Sequence, residues 1–222
     1  MDKIILIVAA HSDDEALGCA GVVAMHIAEG SKVHLLFMTD GVASRAGKGD
    51  DAIGRLTAAQ KAAQVLGVTT LTNLKFPDNR MDSIPLLDIV KEIESKIIEL
   101  QPEIIYTHHI GDLNVDHQIT HKAVVTACRP QPSFCVEEIY AFEVLSSTEW
   151  SAPGVEPFSP NVYIDITDYI DIKKQVLEVY SEEIRQPPHS RSIDNALRLN
   201  ALRGNSVGMD YAEAFELIRM SR

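Results

Sequence analysis

The sequence lacks several features that would assign it to a common class of protein. Its three cysteines, Cys19, Cys128 and Cys135, form no CxxC pair, so they indicate reduced core residues rather than a disulfide framework. No apolar run approaches the length of a membrane span, and the first residues are typical of a strand rather than of a signal peptide. These features predict a cytoplasmic protein with no integral membrane segment.

Positive charge is also scarce. The 222 residues include 20 Lys and Arg against 32 Asp and Glu, so the net charge is −12. Such a surface repels nucleic acid and anionic membranes, which excludes both as general partners. No G-x-G-x-x-G follows the first predicted strand and no G-x-S-x-G occurs. A dinucleotide-binding protein and a serine hydrolase are therefore both disfavoured.

What the sequence does contain is an alternation of buried-strand and helix patterns over its first 130 residues. The strands are predicted at about 4–8, 32–38, 69–74, 103–107 and 138–144. The helices are predicted at about 13–29, 52–66, 85–100 and from about 116. This alternation predicts an α/β fold with a Rossmann-like doubly wound, mostly parallel sheet.

The length of the chain suits one domain over residues 1–222, with its motif-bearing core at about 1–145. The less regular part at about 146–222 is predicted to be a C-terminal helical elaboration. Its predicted elements are a strand at 162–166 and helices at 169–184, 192–203 and 211–220.

The first polar cluster lies in IILIVAAHSDDEALG, residues 4–18. Its consecutive large apolar residues are typical of a strand buried on both faces. Ser12, followed three residues later by Glu15, predicts a capping box at the start of a helix. His11, Asp13 and Asp14 fall on the turn between the two elements, where open α/β sheets bind ligands. An imidazole and two carboxylates are costly to bury there unless they hold a divalent metal.

The second polar cluster, HHIGDLNVDH at residues 108–117, follows the strand predicted at 103–107 in the same way. Because the carboxyl ends of parallel strands share one edge of the sheet, the two clusters can meet in space. Two histidines and a carboxylate with an open fourth position make a catalytic zinc site. The residues therefore indicate a metallohydrolase, although spacing alone does not select which histidines and which carboxylate bind the metal.

HSDDE at 11–15 and HHIGDLNVDH at 108–117 together resemble the paired AHPDDE and HxDH motifs of the PIG-L/LmbE-like family of zinc-dependent N-acetylglucosaminyl deacetylases. The resemblance covers about residues 1–130. It implies a hydrolase that removes acetyl from an N-acetylglucosamine-type amino sugar in a small-molecule or glycolipid conjugate. It also implies Zn²⁺ as the cofactor, although two imidazoles and a carboxylate accept other divalent metals. Relatives often form homo-oligomers, a role that the excursion at 151–161 could serve.

The resemblance further implies roles for individual residues. His11, Asp14 and His117 match the metal ligands, and Asp13 matches the general base that takes a proton from metal-activated water. That water would attack the acetamide carbonyl. Asp116 is expected to orient an imidazole. The candidate substrate-binding residues are Arg55, Asp112 and His109.

One departure from the family pattern bears on the mechanism. Asn114 stands where the first histidine of HxDH is expected. An asparagine amide can donate to an oxyanion but cannot deliver a proton, so our hypothesis is that Asp13 acts as both base and acid while Asn114 is the oxyanion donor. His108 or His109 could supply the missing imidazole instead. Asn114 also leaves open a metal-binding module of the same fold with little or no turnover.

Weaker candidates lie in the loops. A polar loop at 39–51 is long enough to indicate a functional or mobile segment. Further candidate substrate contacts are Arg45, Arg80, Arg191, Asp78, Asp82 and His189.

Overall fold

The sheet determines where the candidate functional residues lie. In the computed structural model, which describes residues 2–39 and 50–221 (without the side chains of 50–53), seven strands form one sheet. They are β1 (Ile4–Ala9), β2 (Lys32–Thr39), β3 (Thr70–Phe76), β4 (Ile104–His108), β5 (Glu138–Phe142), β6 (Val162–Asp165) and β7 (Ala212–Met220). Their order is β3-β2-β1-β4-β5-β7-β6. Strands β1 to β5 pair in parallel, and β7 runs antiparallel to β5 and β6. The predicted α/β fold with a mostly parallel sheet is confirmed.

Helices cover both faces of this sheet. They are α1 (Asp14–Gly18), α2 (Ala20–Ala28), α3 (Asp50–Leu66), α4 (Leu86–Leu100), α5 (Val115–Ala127), α6 (Ile170–Val179) and α7 (Ile193–Asn205). Alternate residues of β1 point to opposite faces. Ile5 and Ile7 belong to a core shared with α2, α3 and α6, whereas Leu6 and Val8 belong to a core shared with α4 and α5. In the described ranges, every helix is too short or too polar to cross a membrane.

The winding of the sheet changes direction between β1 and β4. Strands β2 and β3 lie on one side of β1, and β4 and β5 lie on the other. Residues 5–7 of β1 pair with residues 104–106 of β4 in parallel register. The loops that follow these two strands therefore leave the same edge side by side, where a doubly wound sheet forms its ligand crevice.

The first helix differs from the prediction in two ways. It begins after Asp13, which has a positive φ of 117°, and the Glu15 carboxylate accepts a hydrogen bond from the Asp13 N–H at 3.0 Å. The predicted capping box at Ser12 is therefore wrong. The predicted helix at 13–29 is also interrupted at Cys19. A distant residue stabilises this break, since the Glu213 carboxylate accepts the N–H groups of residues 21 and 22 and so caps α2.

The C-terminal part combines helices with strands. Helix α7 and strand β6 agree with the predicted elements, whereas α6 ends at Val179, before the end of the helix predicted at 169–184. The helix predicted at 211–220 is wrong because this segment forms β7. Glu213 of β7 is 1% exposed and accepts a hydrogen bond from Lys173 of α6 at 2.6 Å. This buried ion pair joins β7, which lies beside the edge strand β6, to helix α6.

Candidate metal centre and cleft

The loops after β1 and β4 bring the two polar clusters together. His11 follows β1, Asp14 is the first residue of α1, and His117 lies in the first turn of α5. His11 Nδ1, Asp14 Oδ2 and His117 Nε2 form a triangle in which each pair of atoms is 3.3 Å apart. All three side chains are buried. The cluster is therefore compact enough for its three atoms to face one common point.

Carboxylates lie on the far side of each imidazole ring. His11 Nε2 lies 3.1 Å from Asp78 Oδ1 and 3.2 Å from Asp116 Oδ2. His117 Nδ1 lies 3.1 Å from Asp112 Oδ1. Because carboxylates only accept hydrogen bonds, they favour the tautomers in which these outer nitrogens carry the protons. In these tautomers His11 Nδ1 and His117 Nε2 each direct a lone pair toward the Asp14 carboxylate.

The triad and its carboxylate neighbours favour a positive charge, either on His117 or between the three ligand atoms. Burial opposes a charge on His117, but the negative charges of Asp14 and Asp112 outweigh it and raise its pKa to about 9. Two nitrogen lone pairs and a carboxylate oxygen at 3.3 Å repel one another unless a proton or a metal cation lies between them. The donor set of two imidazoles and one carboxylate is one that zinc and several other divalent metals accept.

The distances also fit a metal. A tetrahedron with metal–ligand bonds of about 2.0–2.1 Å has edges of about 3.3–3.4 Å, which matches the observed triangle. His11, Asp78 and Asp116 form a second group with ligand atoms within 4.8 Å of one another. In that group the Asp116 carboxylate accepts two backbone N–H groups, those of residues 79 and 81 at 2.6 and 3.0 Å, whereas Asp14 accepts one, that of His11 at 2.8 Å. The first triad therefore fits a metal better than the second.

Asp13 lies beside the triad and is held by an arginine from the C-terminal part of the chain. Arg191 Nη1 donates to Asp13 Oδ2 at 2.8 Å, and Arg191 Nε donates to Ser146 Oγ at 2.8 Å. Burial raises the pKa of Asp13 to about 6, although the Arg191 charge opposes the shift. At neutral pH this carboxylate is ionised, and its pKa lies close to the pH at which a general base works best.

Asp13 and the triad line an open cavity of about 130 Å³ at the carboxyl edge of the sheet. Its other walls include Arg55, Asp78, Asn79, Asn114, Ser146, Ser147, Glu183 and Arg191. Arg55, a candidate substrate contact, thus lies in the cavity wall, and its guanidinium pairs with Glu183 at 2.9 Å. Asp116 Oδ2 lies 3.2 Å from His11 Nε2.

Asn114 has a structural role in addition to its place in the cavity wall. It caps α5, since its Oδ1 accepts the Asp116 N–H at 2.8 Å. Its Nδ2 donates to Asn79 Oδ1 at 3.1 Å. One of the two protons on Nδ2 is thus directed to Asn79, and the second remains available to another acceptor.

The residues that line the cavity do not include the candidates Asp112, His108 and His109. Asp112 is 1% exposed and its oxygens accept from Ser147, Thr148 and the Asn114 N–H. His108 is fully buried; its Nε2 accepts the Ala10 N–H at 2.8 Å and lies 3.4 Å from Asp14 Oδ2. Both side chains therefore contact the triad or its neighbours from outside the cavity wall.

His109 is also turned away from the cavity. Its Nδ1 lies 2.6 Å from Glu216 Oε2 and its Nε2 lies 2.9 Å from the Glu156 carbonyl oxygen. Both acceptors belong to the C-terminal part of the chain, so His109 anchors that part to the end of β4. Its ring therefore faces that part of the chain and does not line the cavity.

Two contacts that shape the cleft have no counterpart in the sequence motifs. Arg191 was a weak candidate for substrate binding, and no pattern relates it to Asp13, which lies 178 positions earlier. Asp78 was a candidate for sugar hydroxyls, but it contacts the His11 ring. The Pro-Asp-Asn sequence at 77–79 was the only local signal of a tight, functional turn there. Arg45 and most of the polar loop at 39–51 lie outside the described residues.

The fold and this cluster define an α/β protein with a candidate metal centre at the carboxyl edge of its sheet. A family model described as PIG-L, GlcNAc-PI de-N-acetylase, matches residues 6–128, and the chain belongs to that deacetylase family. It is similar to the uncharacterized deacetylase YaiS of Escherichia coli (strain K12), with 29% identity over 183 residues, 79% of this chain and 89% of YaiS.

Two solved structures share the fold over nearly the whole chain. The N,N'-diacetylchitobiose deacetylase from Pyrococcus horikoshii superposes with a TM-score of 0.79 at 18% identity, over 97% of this chain and 84% of that one. GalB, the 4-carboxy-2-hydroxymuconate hydratase from Pseudomonas putida KT2440, superposes with a TM-score of 0.77 at 21% identity, over 99% and 98% of the two chains. Because these two enzymes differ in reaction, the fold alone does not determine the chemistry.

Proposed function

We propose that this protein is a zinc- or other divalent-metal-dependent hydrolase that removes the acetyl group from an N-acetylglucosamine-type amino sugar in a glycoconjugate. The observation that carries the proposal is the 3.3 Å triangle of His11, Asp14 and His117 in the wall of the same cavity as Asp13. Membership of the deacetylase family supports the choice of reaction.

His11, Asp14 and His117 would hold the metal. A divalent metal bound there would supply Lewis acidity toward the amide carbonyl and lower the pKa of a water molecule to near neutrality. Asp78, Asp116 and Asp112 would keep the two imidazoles in the tautomers that direct their lone pairs inward.

Asp13 would move the protons. Its Oδ2 is held by Arg191, and its Oδ1 accepts no hydrogen bond from any described residue. Asp13 would first take a proton from the attacking water and then deliver it to the amine nitrogen as the C–N bond breaks, so that acetate and the free amino sugar are released. A single carboxylate can serve in both steps because it is protonated in the first and regenerated in the second.

Asn114 would assist at the carbonyl oxygen. The Nδ2 proton that is not directed to Asn79 can donate to the oxygen as negative charge develops on it. The capping bond from Oδ1 to the Asp116 N–H keeps the amide from rotating. A second candidate function, a metal-binding module with little turnover, is favoured by the same residue, since an asparagine stands where the family pattern has a histidine.

The test is hydrolysis with and without metal. Protein stripped with a chelator and then reloaded with Zn²⁺, Mn²⁺ or Fe²⁺ is incubated with N-acetylglucosamine, N,N'-diacetylchitobiose and N-acetylglucosaminyl-inositol, and the acetate released is measured. We expect release that requires metal, with Asp88→Asn, which changes an exposed carboxylate on α4, as a control of unchanged activity. Activity that survives chelation would contradict the metal-dependent mechanism. Tight metal binding without release from any substrate would favour the module.

A further inference from the structure

Trp150 occupies an unusual position at the mouth of the cleft. It is the single tryptophan of the sequence and its side chain is 51% exposed. It ends a 3₁₀ turn, Thr148–Trp150, that directly follows the cavity-lining residues Ser146 and Ser147. Its backbone N–H donates to the Ser147 carbonyl oxygen at 3.2 Å. The indole is thus one turn away from the wall of the cavity.

The indole ring contacts the neighbouring loop that carries Arg191, another residue of the cavity wall. It meets the His189 ring edge to face, with ring centroids 5.7 Å apart and an interplanar angle of 71°. His189 Nδ1 in turn accepts the backbone N–H of Arg191 at 3.0 Å, and Arg191 lines the cavity. Trp150 therefore bridges the two loops at the rim through its backbone on one side and its ring on the other.

Hydrogen bonds hold these two loops together. Arg191 joins Ser146 through Nε. The Glu149 carboxylate accepts from the backbone N–H of Ser146 at 2.7 Å and from the Ser190 hydroxyl. An aromatic ring that is already held in place loses little conformational entropy when a ligand covers it. The exposed side of the indole is therefore a preorganised apolar surface with polar groups around it.

The size of the cavity indicates what could cover that surface. Cavities that enclose a drug-sized ligand measure about 300–1,000 Å³, whereas this one measures about 130 Å³. It can take the acetamido end of a sugar, but the group linked to that sugar must extend across the rim. A polyhydroxylated six-membered ring fits the rim best, because its C–H face matches the indole and its hydroxyls match Glu149, Ser190 and His189.

We propose that Trp150, supported by His189, is a specificity-determining residue that stacks against a polyhydroxylated ring linked to the acetamido sugar. This inference rests on the proposed function, since it assumes that an amino sugar enters the cavity. A second pyranose and an inositol offer the same chemistry, and the experiment below distinguishes them.

The single tryptophan makes binding directly observable. Metal-free wild-type protein, which cannot turn over, is titrated with N-acetylglucosamine, N,N'-diacetylchitobiose and N-acetylglucosaminyl-inositol while tryptophan emission is recorded. We expect a blue shift with one or both two-ring compounds and none with the monosaccharide, and the compound that produces it identifies the ring. An emission spectrum that neither two-ring compound changes overturns the proposal.

Variants supply a second readout. Trp150→Ala should raise KM for the two-ring substrate about 5-fold, the scale of one aromatic stacking contact, with kcat within 2-fold and no change for the monosaccharide. Trp150→Phe should retain most of the affinity. Ile98→Ala, which truncates a 72% exposed apolar residue on α4, is the matched control, and the melting temperature of each variant confirms folding. An unchanged KM in Trp150→Ala also overturns the proposal.

The two proposals can fail separately. A blue shift without hydrolysis under any metal would leave the stacking surface intact and contradict the deacetylase function. Metal-dependent hydrolysis with an unchanged emission spectrum and an unchanged KM in Trp150→Ala would support the function and contradict the role of Trp150.

Discussion

Asp112 offers a direct test of the candidate metal centre, because its carboxylate determines the orientation and tautomer of His117. Its Oδ1 lies 3.1 Å from His117 Nδ1 and also accepts the Asn114 N–H at 2.8 Å, while its Oδ2 accepts from Thr148 at 2.6 Å. Asp112→Asn keeps the size of the side chain but removes the negative charge behind the ring. We therefore expect the His117 lone pair to become a weaker ligand.

The magnitude follows from how firmly the carboxylate is held. Loss of a residue that orients a metal ligand typically lowers metal affinity 10- to 100-fold. Because Asp112 is 1% exposed, solvent cannot compensate for the lost charge. We therefore expect a loss of metal affinity in the upper part of that range, about 30- to 100-fold or about 2–2.7 kcal/mol.

The assay is competition for Zn²⁺ between a chromophoric chelator and chelator-stripped protein. Wild type, Asp112→Asn and the exposed control Asp88→Asn are compared, and circular dichroism verifies that each is folded. An Asp112→Asn affinity within 3-fold of wild type in a folded protein would refute the reasoning, since His117 would then bind metal without its carboxylate partner.

Three further predictions concern the base, the buried ion pair and the pH dependence of stability. Asp13→Asn should lower kcat by about 10²- to 10⁴-fold while Zn²⁺ affinity stays within about 3-fold; an equal loss of metal binding would contradict its role as a base. Lys173→Met leaves the Glu213 carboxylate buried without its cation and should lower the free energy of unfolding in urea by about 3–5 kcal/mol. Adding Glu213→Gln should recover part of that loss, and no recovery would argue against the pair. Burial lowers the pKa of His26 to about 4 from 6.5. Between these two pH values His26 is protonated in the unfolded chain but neutral in the folded protein. The contribution of His26 to the free energy of unfolding should be fully present above about pH 6.5 and fall by roughly 2–3 kcal/mol as the pH drops to about 4. His26→Gln should flatten this pH dependence of the free energy of unfolding, and the same pH dependence in wild type and variant would disprove the prediction.

Much of the fold could be predicted from the sequence because burial acts on short, contiguous runs. The apolar residues of β1 and β4 are consecutive, and consecutive apolar residues are typical of central parallel strands. Once both strands are placed in one sheet, their polar ends must share an edge. In the structure β1 and β4 are also neighbours, and this brings His11 and His117 to 3.3 Å.

The remaining features depend on contacts between distant parts of the chain. The break at Cys19 is stabilised by the Glu213 carboxylate, which lies about 190 residues further on. The segment at 211–220 is rich in Ala, Glu and Leu, which favour a helix locally. It forms a strand because β5 and β6 each offer it an edge, and packing overrides a propensity of a few tenths of a kcal/mol per residue.

In the site, too, some residues are signalled by local motifs and others depend on contacts between distant parts of the chain. The ligand atoms of the triad come from the two motifs, but the groups that orient them do not. Asp78 and Arg191 contact His11 and Asp13 from loops whose sequences resemble ordinary surface turns. A single sequence contains no signal that links such pairs.

The position of β7 has a consequence for how the molecule is made. The chain reaches β7 after every other strand, yet β7 lies between β5 and β6. During synthesis β6 therefore has no neighbouring strand to pair with until residues 212–220 have left the ribosome. The contact between the His109 ring and Glu216 also cannot form before then. A nascent chain arrested before residue 212 would present the unpaired edge of β5 to solvent, which makes that intermediate a natural substrate for chaperones.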